Sequence, residues 1–317
     1  MDNTALESVL INMPTRIRSA CSPLLKHEAR LEEIRIRAER PLMAWLGTEA
    51  FLGESGICAL ENALLPSKDE VRAVIESLCG YSIYAFEDDI AAGFITISGG
   101  HRIGLSGRAV IKGGRVVALT SYSGINIRFS RQVTGCAKKL VNYICHAGRP
   151  LSTLIYSPPQ MGKTTMVRDL VRCVSNGIGC SPQKVCVVDE RGEIAACRGG
   201  VPQNDVGIRT DVLDGFPKNE GISNAIRCLS PQVVAVDELG KPGDAESVLD
   251  ALCCGIRVIA TAHAGDMDDL RARPWFHELI RGGGFERYVC LGSEIGVGTV
   301  MSVHDAGGGV ICSTPFR

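Results

Sequence analysis

Residues 153–165 read TLIYSPPQMGKTT and close on Gly162-Lys163-Thr164-Thr165, a spacing suited to wrapping a phosphate tail in main-chain amides. In such a loop, successive N–H groups and the dipole of the following helix meet the phosphates. The lysine adds a point charge, and the threonine hydroxyl reaches Mg²⁺. The general pattern is G-x-x-x-x-G-K-[ST], and this chain has Ser157 where the first glycine would stand. A serine is small enough to let the chain leave a strand. Pro158 and Pro159 restrict the loop where glycines would loosen it. Ser157, Pro158, Pro159, Gln160, Met161, Gly162, Lys163, Thr164 and Thr165 are the expected phosphate-binding run, with Gly162 where a side chain would crowd the approaching backbone.

A phosphate loop alone leaves the reaction open. VVAVDE supplies its companion: four apolar residues and then Asp237-Glu238. An aspartate at the end of a buried strand can join Thr164 in holding Mg²⁺, and the adjacent glutamate can polarise an attacking water. KVCVVDERGE puts Asp189, Glu190 and Arg191 at a second strand tip, and VIATAHAG puts Thr261 and His263 at a third. If these strands share one parallel sheet, their tips converge on the crevice that holds Lys163. His263 would then donate to the terminal phosphate or report its loss, and Glu190 would orient water or the neighbouring shell. Taken singly, each of these residues could equally be a solvated strand end.

The positioning elements follow from periodicity. TLIYS, KVCVVDE, VVAVDE and RVIATAH are short, nearly unbroken apolar runs, as expected of strands covered on both faces. A helix from Thr164 carries Met166, Val167, Leu170, Val171 and Val174 on one side. From Trp275 onward the pattern predicts a helix and a terminal hairpin, TVMSVHDAGGGVICS. The first half has another texture. EEIRIRAERP alternates Ile34, Ile36 and Ala38 against Arg35 and Arg37, and INIRFSR alternates Ile125, Ile127 and Phe129 against Arg128. SKDEVRAVIESLCG predicts a helix with Ser67 as N-cap, Glu70 completing a capping box, and Gly80 at its end. Lys112-Gly113-Gly114 predicts a hairpin turn. CAKKLVNYICHAGRP predicts a connecting helix ending at Gly148 and Pro150, so the boundary between the two textures falls between about Arg131 and Pro150.

Composition narrows the function classes. At 45% hydrophobic and 22% charged, the 317-residue chain is of globular type. Lys+Arg number 34 against 35 Asp+Glu, so no global basic field points to nucleic acid. MDNTALESVLINMP lacks the basic region of a secretory signal, and no apolar run reaches the ~18 residues of a membrane span. Any work at a membrane is therefore expected through recruitment. The fourteen cysteines form no C-x-x-C pair, and Cys173, Cys186, Cys228 and Cys253, inside apolar runs, are expected as reduced core residues.

Taken together, EEIRIRAERP, GYSIYAFEDDI, GGHRIGLSG, INIRFSR, SPPQMGKTTMVRDL, VVDERGEIA, GVPQNDVGIRTDVLDG, SPQVVAVDELG and VIATAHAG resemble the stage III sporulation protein AA family, relatives of the type II/type IV secretion ATPases. The resemblance implies an α/β fold: a RecA-like P-loop NTPase domain with a largely parallel sheet over residues 136–317, preceded by a smaller α+β domain over residues 1–135. It implies ATP and Mg²⁺ as ligands, Lys163 and Thr164 in the Walker A loop, Asp237 and Glu238 in Walker B, Glu190 in the acidic box and His263 in the His box. Gln160 and Met161 stand where the family has a glycine and a small residue. By the same resemblance, arginines of the N-terminal domain reach a nucleotide between domains or subunits. Arg128, Arg131, Arg35 and Arg37 are the candidates, and Arg209 in VGIRTD is another. A hexameric ring is implied, on the cytoplasmic face of a membrane protein complex at the mother-cell/forespore boundary; the near-neutral charge leads us to expect no nucleic-acid partner. Two other readings stay open at this stage, a nucleic-acid-dependent translocase and a nucleotide-binding scaffold with little turnover.

Overall fold

The computed structural model describes residues 5–80, 94–130, 132–241, 243–281 and 284–317. Its backbone divides into two units, Met1–Arg131 and Gln132–Arg317. The segment GYSIYAFEDDI falls almost wholly outside the described residues, as does Arg131.

In the first unit, β1 (Glu33–Arg37), β2 (Met43–Trp45), β3 (Glu49–Gly53), β4 (Gly56–Cys58), β5 (Phe94–Ile97), β6 (His101–Lys112) and β7 (Arg115–Arg128) form one sheet in the order β4-β3-β2-β1-β7-β6-β5. Every pairing in it is antiparallel. The period-two pattern sends Ile34, Ile36, Ile103, Ile125 and Ile127 to one face, where they meet Leu6, Val9, Ile17, Val71 and Val74 from the helices. The helix Lys68–Leu78 begins with the expected capping box: Ser67 Oγ accepts the Glu70 N–H at 3.1 Å and Glu70 Oε2 accepts the Ser67 N–H at 2.8 Å. Arg16 also grips that carboxylate, through Nε at 2.9 Å and Nη2 at 2.7 Å. Its hydrogen bonds, with those at Ser67, outweigh partial burial and hold Glu70 down at about 2. Gly113 and Gly114 turn β6 into β7 with φ of +59° and +77°, a two-residue turn that needs left-handed backbone twice. β7 is one long strand that includes INIR rather than two separate ones.

In the second unit, the helix expected over CAKKLVNYICHAGRP stops at Ile144. A small hairpin follows, β8 (Cys145–His146) with β9 (Arg149–Pro150), turned by Ala147 and Gly148 at φ of +49° and +75°. The main sheet comprises β10 (Thr153–Ser157), β11 (Val185–Asp189), β12 (Thr210–Asp214), β13 (Val233–Leu239), β14 (Arg257–His263), β15 (Arg287–Gly292), β16 (Thr299–Asp305) and β17 (Val310–Cys312). Their order is β12-β11-β13-β14-β10-β15-β16-β17. Pairings from β12 through β15 are parallel, and β15, β16 and β17 pair antiparallel. The four apolar runs occupy neighbouring central places, with helices packed on both faces, one core containing Met166, Val167 and Leu170 and the other Val248, Leu270 and Phe276. β12 and β15 were not legible as strands. Cys173 and Cys186 are buried as expected, but Cys228 and Cys253 are exposed, because they lie on the solvent side of their helical segments.

Candidate phosphate-binding site

Parallel register decides which strand ends meet. Ser157 at the end of β10 lies beside His263 at the end of β14, while Val236, just before the acidic pair on β13, pairs with Ala260. Beyond β10 the chain turns through Pro158–Met161, with Gln160 at φ +63° and Gly162 at φ +80°, into the helix Lys163–Asn176. Gly162 is required by that left-handed φ more than by crowding, since an added Cβ would meet its nearest neighbours at 3.4 Å.

Lys163 is almost fully buried. Its ammonium donates to the carbonyls of Ser157 at 2.9 Å and Pro158 at 2.8 Å, and lies 3.2 Å from Ser157 Oγ. It also stands 3.0 Å from His263 Nδ1. An ammonium has only donors, so Nδ1 accepts and the imidazole proton sits on Nε2, 3.7 Å from Glu238 Oε1. Burial lowers the Lys163 pKa, while Asp237 and Glu238 pull against it. Thr164 donates its hydroxyl to Asp237 Oδ2 at 2.8 Å. Thr261, fully buried on β14, hydrogen-bonds the other Asp237 oxygen and accepts the Glu238 N–H at 2.7 Å. The β13–β14 register slips between Val236 and Leu239, and Glu238 takes φ +50°, a strained choice for a residue bearing a side chain. Arg191 closes on Glu238 with an Nη1–Oε2 distance of 2.6 Å.

These groups line a cleft of about 470 Å³ that includes Gln160, Lys163, Thr164, Arg191, Glu238 and His263. Thr165 and Gly162 line it too, whereas Pro158 and Pro159 form the exposed outside of the loop and Met161 is half-buried. The N–H groups of Gly162, Lys163, Thr164 and Thr165 have no protein acceptor among the described residues. Four orphan donors at a helix start, beside an ammonium and a hydroxyl–carboxylate pair, fit a polyphosphate with its divalent cation.

Other expected residues are placed differently. Glu190 does not line the cleft. Its carboxylate is bound by Lys218 at 2.5 Å and Lys241 at 3.0 Å. Burial would raise its pKa, but those two lysines hold it below the usual carboxylate range. Asp189 is buried and accepts the N–H groups of Glu193, Ile194 and Ala195, so it staples a turn. Arg209 is tied to Ser175, through its own N–H to Oγ at 2.8 Å and through Nη1 to the carbonyl at 2.9 Å. Arg35 pairs with Glu33 at 2.5 Å, Arg37 donates to Met43 Sδ at 3.1 Å, and Arg128 is exposed on β7. The sequence marks Thr261 and Arg191 at their strand tips, while their contacts with Asp237 and Glu238 arise only from the fold. Lys218 and Lys241 carried no sequence signal.

The residues from 6 to 311 match the family model described as "Sporulation stage III, protein AA". Stage III sporulation protein AA of Bacillus subtilis (strain 168) is 38% identical over 305 residues, 95% of this chain and 96% of that protein. Among solved structures, the ATPase DotB of Legionella pneumophila superposes with a TM-score of 0.56 at 17% identity, over 88% of this chain and 79% of its own. The pilus retraction motor PilT with bound ADP gives 0.56 at 15% identity, over 86% and 77%. The structural likeness extends to fold, and the sequence match to membership: this chain belongs to the stage III sporulation protein AA family.

Proposed function

We propose that this chain is an Mg²⁺-dependent ATPase of the secretion-motor type, serving a sporulation membrane complex at the mother-cell/forespore boundary. The observation that carries the proposal is the convergence of Lys163, Thr164, Asp237, Glu238 and His263 beside four unpaired helix N–H groups. In this reading residues 136–317 are a RecA-like P-loop domain and residues 1–135 the domain that precedes it in secretion motors. The amides of Gly162 to Thr165 bind the β- and γ-phosphates of ATP, and the Lys163 ammonium joins them by exchanging its loop carbonyl partners for phosphate oxygens. Thr164 and Asp237 would hold Mg²⁺, which neutralises phosphate charge. Glu238 orients the attacking water and takes its proton, and the unusual backbone at this position aims its carboxylate into the cleft. His263 bridges Lys163 and Glu238, so it can register whether the terminal phosphate is present. Glu190, held by Lys218 and Lys241, is a positioning residue for the loop after β13.

Arg128 or Arg131 completes the charge in trans, as an arginine beside the transferring phosphoryl group can contribute on the order of 10³-fold. Loss of the terminal phosphate then removes contacts that favoured one arrangement of a hexameric ring, and movement follows from that difference. The family description supports a role in sporulation. Among the described residues no helix is long and apolar enough to cross a membrane; in this reading a membrane protein recruits the chain to the cytoplasmic face. Steady-state hydrolysis tests the reading. E238Q retains ATP and loses about 10²-fold or more in turnover, and K163A fails to retain ATP. Unchanged turnover in E238Q removes the base assignment, and full retention by K163A removes the site.

A further inference from the structure

β6 and β7 extend past the sheet that holds them. Among the described residues, β5 pairs with β6 up to Gly104, and β1 pairs with β7 from Gly124. Beyond a break in register between Ser106 and Arg108, the two strands pair, among the described residues, only with each other: Arg108 with Thr120, Ala109 with Leu119, Val110 with Ala118, Ile111 with Val116 and Lys112 with Arg115. Gly107 sits at the break because a Cβ there would lie 2.8 Å from the Thr120 carbonyl oxygen. Among the described residues no third strand pairs with this ribbon, and a two-stranded ribbon is marginal in water by itself.

Its two faces differ in kind. Alternation puts Ala109, Ile111, Val116 and Leu119 on one side, and Leu119 runs back into the core of its unit. Further out this stripe is bare: Ile111 is 67% and Val116 43% exposed. The opposite side carries Arg108, Val110, Lys112 and Thr120, with Arg115 in register across from Lys112. In the sequence these cations sit in a long stretch without acids, since neither aspartate nor glutamate occurs between Asp89 and Asp169. The chain as a whole is almost neutral, so this one-signed stretch is local.

We propose that the β6–β7 ribbon is a docking surface for an anionic phospholipid bilayer, lying in the headgroup layer with its aliphatic stripe inward and its cations among the lipid phosphates. An element that is aliphatic on one side and cationic on the other is the form that settles at a membrane interface. A protein groove would require particular acids opposite particular cations. A planar anionic surface requires only the sign, and only the sign is in excess here. Contact of this kind adds to recruitment through any partner protein and does not depend on nucleotide.

Flotation of the full chain with vesicles tests it, without nucleotide, comparing phosphatidylcholine containing phosphatidylglycerol with phosphatidylcholine alone. The expected result is flotation with the anionic vesicles only, weakening as salt rises. Each cation near a charged surface is worth roughly a fivefold change in partitioning, so R108Q/K112Q lowers it by about 25-fold and R108E/K112E by more. I111D lowers it as well, with no change in ATP hydrolysis or thermal midpoint. If the parent chain floats with neither vesicle, or the R108Q/K112Q chain floats like its parent, the proposal is wrong. Ribbon variants that alter only the oligomeric state, leaving vesicle binding untouched, would assign the surface to a second copy and overturn it equally.

Discussion

Glu238 is the residue on which proposed catalysis depends, and its setting is unusual in two respects. Its backbone lies at φ +50°, and its carboxylate is gripped on one side by Arg191 and faced on the other by His263. A left-handed non-glycine residue costs of order 1–3 kcal/mol and persists only where neighbours dictate it. Here Thr261 dictates it, by accepting the Glu238 N–H while bonding Asp237. In the proposed reaction Arg191, in contact with that carboxylate, would hold it where an attacking water meets it. We expect R191A to lower kcat roughly tenfold while leaving ATP retention within about twofold, since positioning is lost and the phosphate contacts remain. R191K should recover part of that loss. Stopped-flow binding beside steady-state hydrolysis separates the two effects, and a loss confined to affinity would place Arg191 on the phosphates instead.

At the scale of elements, the four apolar runs with acidic or hydroxylated tips do the positioning. A strand buried on both faces must be apolar throughout, so its first polar residue marks the edge of the sheet, where ligands collect. In the first unit the capping box of helix Lys68–Leu78 is the most testable local feature. S67A should cost about 1 kcal/mol, read from chemical denaturation. Acid should erode the contribution of Glu70 in a defined window. Its carboxyl is held at about 2 in the folded chain against an ordinary 4.5, so it stabilises the fold above 4.5 and that stabilisation is lost as pH falls towards 2. The thermal midpoints of the parent chain and E70Q should differ at neutral pH and converge near pH 2. A constant gap would mean that the Arg16–Glu70 contact contributes little.

At the scale of the molecule, the described residues that line the candidate phosphate-binding cleft all belong to the second unit, while Arg128 lies in the first. An active centre completed by a neighbour should gain activity on assembly. Specific hydrolysis is expected to rise with protein concentration and level off once the ring forms, and R128A should lower the plateau by about 10³-fold. Mixing R128A with E238Q should restore part of the activity, because each supplies what the other lacks. Specific activity that stays flat across concentrations where the chain goes from monomer to ring would show that each copy works alone.

The sequence alone determined the local features, because each rests on neighbours in the chain. These are the Gly162-Lys163-Thr164 helix start, the apolar strands that carry Asp237 and His263, the capping box at Ser67 and the Gly113-Gly114 turn. Family membership was legible for the same reason, in long phrases of ordered residue types. Tertiary structure decided everything that depends on partners far along the chain. Glu190 and Glu238 look alike at strand tips, but Lys218 and Lys241 occupy the first while Arg191 and His263 face the second. The edge strand β12 has a half-exposed, polar-interrupted pattern that becomes a strand only because β11 offers it hydrogen bonds. Periodicity records which face a residue needs, whereas pairing, register and the identity of a charge's neighbour are settled only when the sheet closes around them.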